Sequence, residues 1–464
     1  MSTGSGADSA PAPTTYDKKI PAKTSMFSSL RIRNYRLFAA GAVVSNTGTW
    51  MARITQDWLV LSLTGSSAAV GVTTAMQFLP MLLFGLYGGV IADRFAKRNL
   101  LFVTQGAMGL GGLFLAAMTL SGHVEVWHVY LTAFFTGLVT VVDNPARQSF
   151  VPELVGPDQV RNAVSLNSAN FQSARLIGPA VAGVLTAAVG PGWAFLANGL
   201  SFLAPITGLL LMRTGELTPT PLAPRRGKGQ LREGLAYVRV HPELIWPIVL
   251  IGFIGTFGFN FPIWLSAYAD DVFHGGSGLY AAFTTLMAAG SLIGALLAAR
   301  RRSSRLRMLT ATAGLFGVAL VAVAAVPSAY VFAALLLPVG ALGLTVNVTA
   351  NSSVQMATDP EMRGRVMSLF MMVFVGGTPF GGPLFGWLTD AYGVRVSFAV
   401  GGLVVALASL CVGLALARAA GLRLRVDLRR GQRVVAFVPR EGLAPGPRAE
   451  GLASGPRAGA GALR

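Results

Sequence analysis

Five ionisable side chains lie inside, or at the end of, stretches that are otherwise apolar. They limit the chemistry open to this chain. Arg53 and Asp57 stand four residues apart in the first apolar run, so on a helix they share a face. Arg175 sits near the middle of the fifth run, with no acid on the same segment; Asp57 and Asp143 are the acids that could reach it. Asp143 and Arg147, again four apart, close the fourth run. A carboxylate in such surroundings can take up and release a proton, whereas a guanidinium needs an acid, carbonyls, water or an anionic ligand. No catalytic constellation accompanies these groups. There is no G-x-x-x-x-G-K-[ST] phosphate loop, and His123, His128, His241 and His274 sit near segment ends without metal-ligand spacing. The single cysteine, Cys411, excludes an intramolecular disulfide and is expected to be a buried packing residue. We therefore expect no enzyme, no metal site and no bound cofactor.

The elements that position these residues are membrane helices. Of 464 residues, 53% are hydrophobic and 12% charged, against about a quarter charged in soluble domains. A bilayer core of about 30 Å needs about 20 apolar residues per helix. Runs of that kind cover about 35–63, 67–92, 99–121, 127–149, 161–188, 193–212, 243–268, 278–299, 307–326, 329–357, 364–389 and 394–419. The expectation is an all-α membrane protein with twelve transmembrane helices. The net charge of +18 lies in the tails and between apolar runs, so it signals topology and not nucleic-acid binding. Alternate connections carry the cations: Arg94, Lys97 and Arg98; Arg161; Arg225, Arg226, Lys228 and Arg232; Arg300, Arg301, Arg302 and Arg305; Arg363 and Arg365. The other connections hold Glu125, Asp270, Asp271 and Asp390, with Arg395 as their one cation. The cationic side, with both termini, is expected to be cytoplasmic.

The two halves repeat. Gly178-Pro179 returns as Gly382-Pro383 after 204 residues, and Gly89 as Gly294 after 205; Asn144 and Asn351 fall at a similar spacing. Two parallel six-helix halves with a pseudo-two-fold along the membrane normal follow from that pattern. The chain divides into a disordered N-tail (1–27), a six-helix bundle (28–212), a linker (213–241), a second six-helix bundle (242–419) and a disordered basic C-tail (420–464). In the linker, Leu231, Leu235 and Val238 share one face, with Arg232, Glu233 and Arg239 elsewhere; this predicts a helix on the inner membrane surface. The C-tail carries a two-copy, nine-residue repeat beginning at Glu441 and Glu450.

The run Gly89-Val90-Ile91-Ala92-Asp93-Arg94-Phe95-Ala96-Lys97-Arg98 reads G-x-x-x-D-R-x-(small)-[KR]-[KR]. It resembles the signature loop between the second and third transmembrane helices of the major facilitator superfamily. Further stretches narrow the likeness: Arg33-Asn34-Tyr35-Arg36, Ser45 to Met51, Gln56-Asp57-Trp58, Asp143-Asn144-Pro145-Ala146-Arg147, Pro152 to Val155, and Asn167 to Pro179. From about residue 28 to 419 the chain resembles bacterial exporters of the enterobactin-exporter and macrolide-efflux type.

That resemblance implies a rocker-switch secondary transporter in the bacterial inner membrane, usually proton-coupled. It would export small amphiphilic compounds of the drug, antibiotic or siderophore type, as a monomer, with the proton motive force in place of a cofactor. Its partners would be a small-molecule substrate and the lipid bilayer, with no nucleic acid. Helices 1, 4, 7 and 10 would line the cavity, with helix 5 contributing. Asp57 is then a proton carrier tuned by Arg53, or the two form a structural ion pair or an interfacial anchor beside Trp50 and Trp58. Arg175 is an anion contact or coupling residue, or a helix-packing group with Asn167, Asn170 and Gln172. Asn260, Asn347, Asn351 and Gln355 are substrate contacts or interhelical hydrogen-bond partners. The aromatics Phe253, Phe257, Phe259, Phe261 and Trp264, with Met367, Met371 and Met372, suit a large apolar substrate or lipid-facing packing. Gly178-Pro179 and Gly183 resemble an antiporter motif. Gly89, Asp93, Arg94, Lys97 and Arg98 are expected to work with Asp143 and Arg147 as an inner gate, with Asp93 against residues 361–368 and Arg94 near Asp143. An importer on the same fold, or a non-transporting sensor, are the competing readings.

Overall fold

The structure, a computed structural model, describes residues 27–218, 230–299, 306–419, 422–426 and 435–439. The N-tail before residue 27, the cations Arg225, Arg226, Lys228, Arg300, Arg301, Arg302 and Arg305, and the nine-residue repeat lie outside the described residues. The first half of the chain runs α1 (Arg33–Thr64), α2 (Ser67–Arg94), α3 (Lys97–Leu120), α4 (Val126–Val155), α5 (Val160–Val189), α6 (Pro191–Ser201) and α7 (Leu203–Leu210). After α8 (Gln230–Arg239), the second half runs α9 (Pro242–Phe253), α10 (Phe261–Ala267), α11 (Gly276–Ala299) and α12 (Leu306–Ala324). It continues with α13 (Ala329–Ala357), α14 (Arg363–Gly376), α15 (Thr378–Tyr392) and α16 (Val394–Ala419).

Among the described residues, eleven helices are long and apolar enough to cross a membrane. Helices α6 and α7 act as one such span, as do α14 and α15. The segment that departs from the expected twelve is α1. It has 32 residues, which at 1.5 Å per residue is about 48 Å, but its composition keeps it out of that set. The reason is a band of polar side chains that face protein: Ser45, Thr55, Gln56 and Asp57 are all buried. Local chemistry sets its end. Gly65 takes a left-handed conformation (φ 61°) that closes α1, and the Ser66 hydroxyl then accepts from the Ala69 amide to start α2.

Within the first half, α2 packs on α4, α1 on α5, and α3 on α4 and α6; within the second, α11 packs on α13 and α12 on α16. The halves meet chiefly through α2 with α15 and α5 with α11. Close backbone approaches at glycine show the internal repeat, at an offset of 203 residues. Gly137 sits on α2 at Gln77, and Gly340 on α11 at Met287. Gly178 presses on α1 at Trp50, and Gly381 on Thr256. Gly183 crosses to Ala281 in the other half, and Gly386 crosses back to Ser67 and Ala68. The expected register, pairing Gly178 with Gly382, is one residue out. Gly382 lies instead against Gly71 of α2.

Two segments lie outside the helical bundle. Helix α8 buries Gly234 and Val238, while Leu235 is exposed. It docks on the second half through a Glu233–Arg365 ion pair of 3.0 Å and a Tyr237 hydroxyl that donates to Asp359 at 2.8 Å. The C-tail contains two strands, β1 (Leu422–Val426) and β2 (Val435–Pro439), paired antiparallel with Leu422 opposite Pro439. Alternating apolar residues in both segments (Leu422, Leu424, Val426; Val435, Phe437) suit a strand better than a coil. Cys411 is exposed on α16, not buried.

Candidate functional site

A cavity of about 370 Å³ lies between the halves. Three of its lining residues are the charged groups singled out in the sequence, Arg53, Asp57 and Arg175, and Asn347 joins them. Helix α1 brings Trp50, Arg53, Ile54 and Asp57 to one face by their three- and four-residue spacing. Helix α5 brings Arg175 alongside, because Gly178 lets its backbone close on Trp50; an added Cβ would lie 2.5 Å from Trp50 Cβ.

The two arginines share one aromatic ring. Arg53 Cζ is 5.1 Å and Arg175 Cζ 5.7 Å from the Trp50 centroid, and Phe171 meets Trp50 edge-on at 5.7 Å. Among the described residues, no carboxylate comes within ion-pair distance of either arginine. The expected Arg53–Asp57 pair is therefore not made, although both face the cavity. Arg175 finds neither of its expected acids. Asp57, itself buried, accepts a hydrogen bond of 2.9 Å from the Tyr280 hydroxyl of α11, and Trp58 stacks on Tyr280 at 6.4 Å. This bond joins the two halves. Tyr280 was not singled out in the sequence. Its signal is the stripe Tyr280, Thr284, Met287, Ala288 and Ser291, all cavity-lining and spaced for one helix face.

The opposite wall is aromatic. On either side of α10 the chain leaves α-helical geometry, with wide π turns at Ile254–Gly258 before it and Tyr268–Val272 after it. At Phe259 and Asn260 it breaks (φ −108°, ψ 37°; φ −93°, ψ 32°), because Pro262 has no N–H to bond the Gly258 carbonyl four residues back and starts a new helix instead. Phe259, Phe261 and Pro262 from this break line the cavity with Phe374 of α14. Asn260 is buried beside them; its amide donates to the Thr256 carbonyl at 2.8 Å, and its Oδ1 has no partner among the described residues. It does not line the cavity. Nor do Asn351 and Gln355, which bond to each other at 2.6 Å. Trp264 is wholly buried, donating to Ser397 at 3.0 Å, and Phe253 is exposed. Met367, Met371 and Met372 stay outside the cavity.

The expected gate residues divide. At the end of α2, Arg94 is exposed and Asp93 and Gly89 are more covered; the tight approach to α4 falls on Gly88, against the Val141 carbonyl. Lys97 pairs with Glu153 of α4 at 3.2 Å, and Arg98 Nε donates to the Leu209 carbonyl at the end of α7 at 2.8 Å. Asp143 accepts from Thr104 and Gln105 of α3, each at 2.7 Å, and from Arg147 at 3.2 Å. Arg94 is not among its partners in the described residues. Arg147 also lies over the Phe38 ring at 5.6 Å.

At the opposite end of the molecule from Asp93, the halves are tied together. The Asp390 carboxylate of α15 accepts from Ser66 Oγ (2.6 Å), the Ser67 amide (2.7 Å) and the Ala68 amide (3.0 Å). An anion at the N-terminus of α2 is stabilised by these free amides and by the helix dipole. Charge-assisted bonds are each worth about 1.5–3 kcal/mol, so Asp390→Ala is expected to shift the population toward opening at this end by about tenfold or more. Nitroxide labels at Leu63 and Tyr392, in a Cys411→Ala background, test this by pulsed electron resonance. Longer distances are expected in the variant; an unchanged distribution contradicts the assignment.

A family model described as "Transmembrane secretion effector" matches residues 24–430. The staphyloferrin A transporter of Staphylococcus aureus is 26% identical over 371 residues, covering 79% of this chain and 92% of that protein. The multidrug efflux pump Tap of Mycobacterium tuberculosis is 27% identical over 414 residues (83% and 93%). The enterobactin exporter EntS of Escherichia coli is 26% identical over 335 residues (70% and 78%). Among solved structures, an inward-facing, unoccupied bacterial homologue of the human lysosomal transporter Spinster superposes with a TM-score of 0.67 at 15% identity, covering 83% of this chain and 97% of that one.

Proposed function

The chain belongs to the transmembrane secretion effector family of the major facilitator superfamily, and from that premise we propose that it exports small amphiphilic compounds by proton antiport. It is a multi-pass membrane protein of the bacterial inner membrane. The proposal adds that residues 28–212 and 242–419 form two six-helix bundles that rock about the central cavity. The Asp93 end and both termini face the cytoplasm, the protein works as a monomer, and it catalyses no covalent reaction. Asp57 carries the proton.

The observation that carries this reading is the Asp57–Tyr280 hydrogen bond. It places a buried carboxylate of the first half on the substrate cavity and ties it to the second half. Opening that end must break the bond, and a proton on Asp57 changes what the bond is worth. Binding at the cavity, proton exchange and rocking are thereby linked in one contact. The glycine contacts of α5 with α11 and α15 with α2 supply smooth surfaces on which the halves can part.

Accumulation of anionic, neutral and cationic fluorescent amphiphiles in cells with and without the protein tests the reading. Lower accumulation of at least one dye is expected, reversed by a protonophore. Unchanged accumulation of every dye contradicts it, and raised accumulation indicates an importer.

A further inference from the structure

We infer that the cavity selects an anionic amphiphile, whose acid group sits on the Arg53–Trp50–Arg175 cluster while its apolar body lies against Phe259, Phe261 and Phe374. The inference rests on the transport reading in taking this cavity as the substrate site.

The charge balance carries it. Among the described lining residues the cavity holds two permanent cations and one acid. The acid accepts from the neutral Tyr280 hydroxyl at 2.9 Å and offsets one of the two positive charges, so the balance stays positive. Neither guanidinium has a carboxylate within ion-pair distance among the described residues, and both are drawn to the face of the same ring. Two like charges gathered on one indole repel each other, and low-dielectric walls sharpen that repulsion. An anion placed between them removes it and can accept in-plane hydrogen bonds from two planar donor groups. A cation would meet repulsion from both arginines. The rest of the lining is mostly apolar and aromatic, with uncharged polar groups at Thr74, Gln77, Thr284, Ser291, Asn347 and Thr378, so an inorganic ion would leave most of the cavity unfilled. A cavity of about 370 Å³ lies within the range of about 300–1,000 Å³ for small-molecule sites.

Equilibrium binding to the full chain in nanodiscs, by calorimetry with empty nanodiscs subtracted, tests the inference. The probes are 2-naphthalenesulfonate, its neutral sulfonamide, and trimethyl(2-naphthyl)ammonium, which share one aromatic body. The sulfonate is expected to bind at least about tenfold more tightly than the sulfonamide, and the ammonium not to compete. Arg175→Gln is expected to abolish the sulfonate's advantage while the sulfonamide keeps its affinity, which also reports an intact cavity. Arg53→Gln is read by the same criterion if Arg175→Gln does not fold. Equal affinities, no saturable sulfonate binding, tighter ammonium binding, or an advantage that survives in both variants would each overturn the inference. No gradient is applied, so this outcome is independent of whether the protein exports or couples to protons.

Discussion

Asp57→Asn is expected to abolish proton movement coupled to substrate while sparing occupancy of the cavity. Asparagine keeps the shape and still accepts a hydrogen bond from Tyr280, so the contact between α1 and α11 survives. It cannot be protonated or carry charge, so the linkage between cavity and proton is lost. In proteoliposomes with a trapped pH-sensitive dye, substrate-induced proton flux should fall to that of protein-free vesicles. Binding of the neutral sulfonamide should change little, and the sulfonate should bind no more weakly, because the cavity loses a negative charge. Proton flux that persists in Asp57→Asn would show that another group carries the proton. Arg53 and Arg175 are poor substitutes, because a guanidinium stays charged in proteins.

The second large effect concerns stability. Asp143 is buried and accepts from Thr104, Gln105 and Arg147. Asp143→Ala leaves Arg147, only 15% exposed, without its counter-ion, and strands the Gln105 amide on α3, while the Thr104 hydroxyl keeps the Leu101 carbonyl as acceptor. Breaking a buried pair from one side costs about 3–5 kcal/mol. We expect a clear loss of thermal stability in detergent, largely recovered in Asp143→Ala/Arg147→Met, which removes the stranded charge. A variant as stable as the parent but inactive in transport would instead make Asp143 a gate. The geometry favours the structural role: its partners lie on α3 and α4 of the same half, so rocking the halves need not disturb them.

Much of this architecture was legible from sequence because membrane helices announce themselves by apolar length, and charge clusters by their exclusion from hydrocarbon. The polar band of α1 shows the limit of that rule. Its side chains are covered by neighbouring helices, and composition registers them as polar without registering the cover. Arg53, Asp57, Arg175 and Asn347 were found because ionisable and amide groups inside apolar runs are costly and stand out. Tyr280 was not, because its role depends on a partner 223 residues away and a tyrosine in a membrane helix is unremarked in isolation. Asn351 and Gln355 satisfy each other within one turn, a local solution that composition cannot separate from a substrate contact. The break at Phe259–Asn260 had a visible cause in Pro262; the π turn before it packs on α14, α15 and α16, and the one after α10 packs on α10 and α11. The repeat was visible in Gly-Pro pairs, but the glycines matched by contact on α4 and α13, and on α5 and α15, stand 203 residues apart and follow packing, not matching letters.

Export by proton antiport makes one directional claim that a single measurement can check. Proteoliposomes with the Asp93 end outward are loaded at acid pH and diluted into neutral buffer containing the three naphthyl probes in turn. Antiport predicts that at least one probe accumulates in the acid lumen as protons leave, that accumulation collapses with a proton ionophore, and that Asp57→Asn shows none. Accumulation driven by an alkaline lumen, or uptake of every probe indifferent to the gradient, would contradict the account.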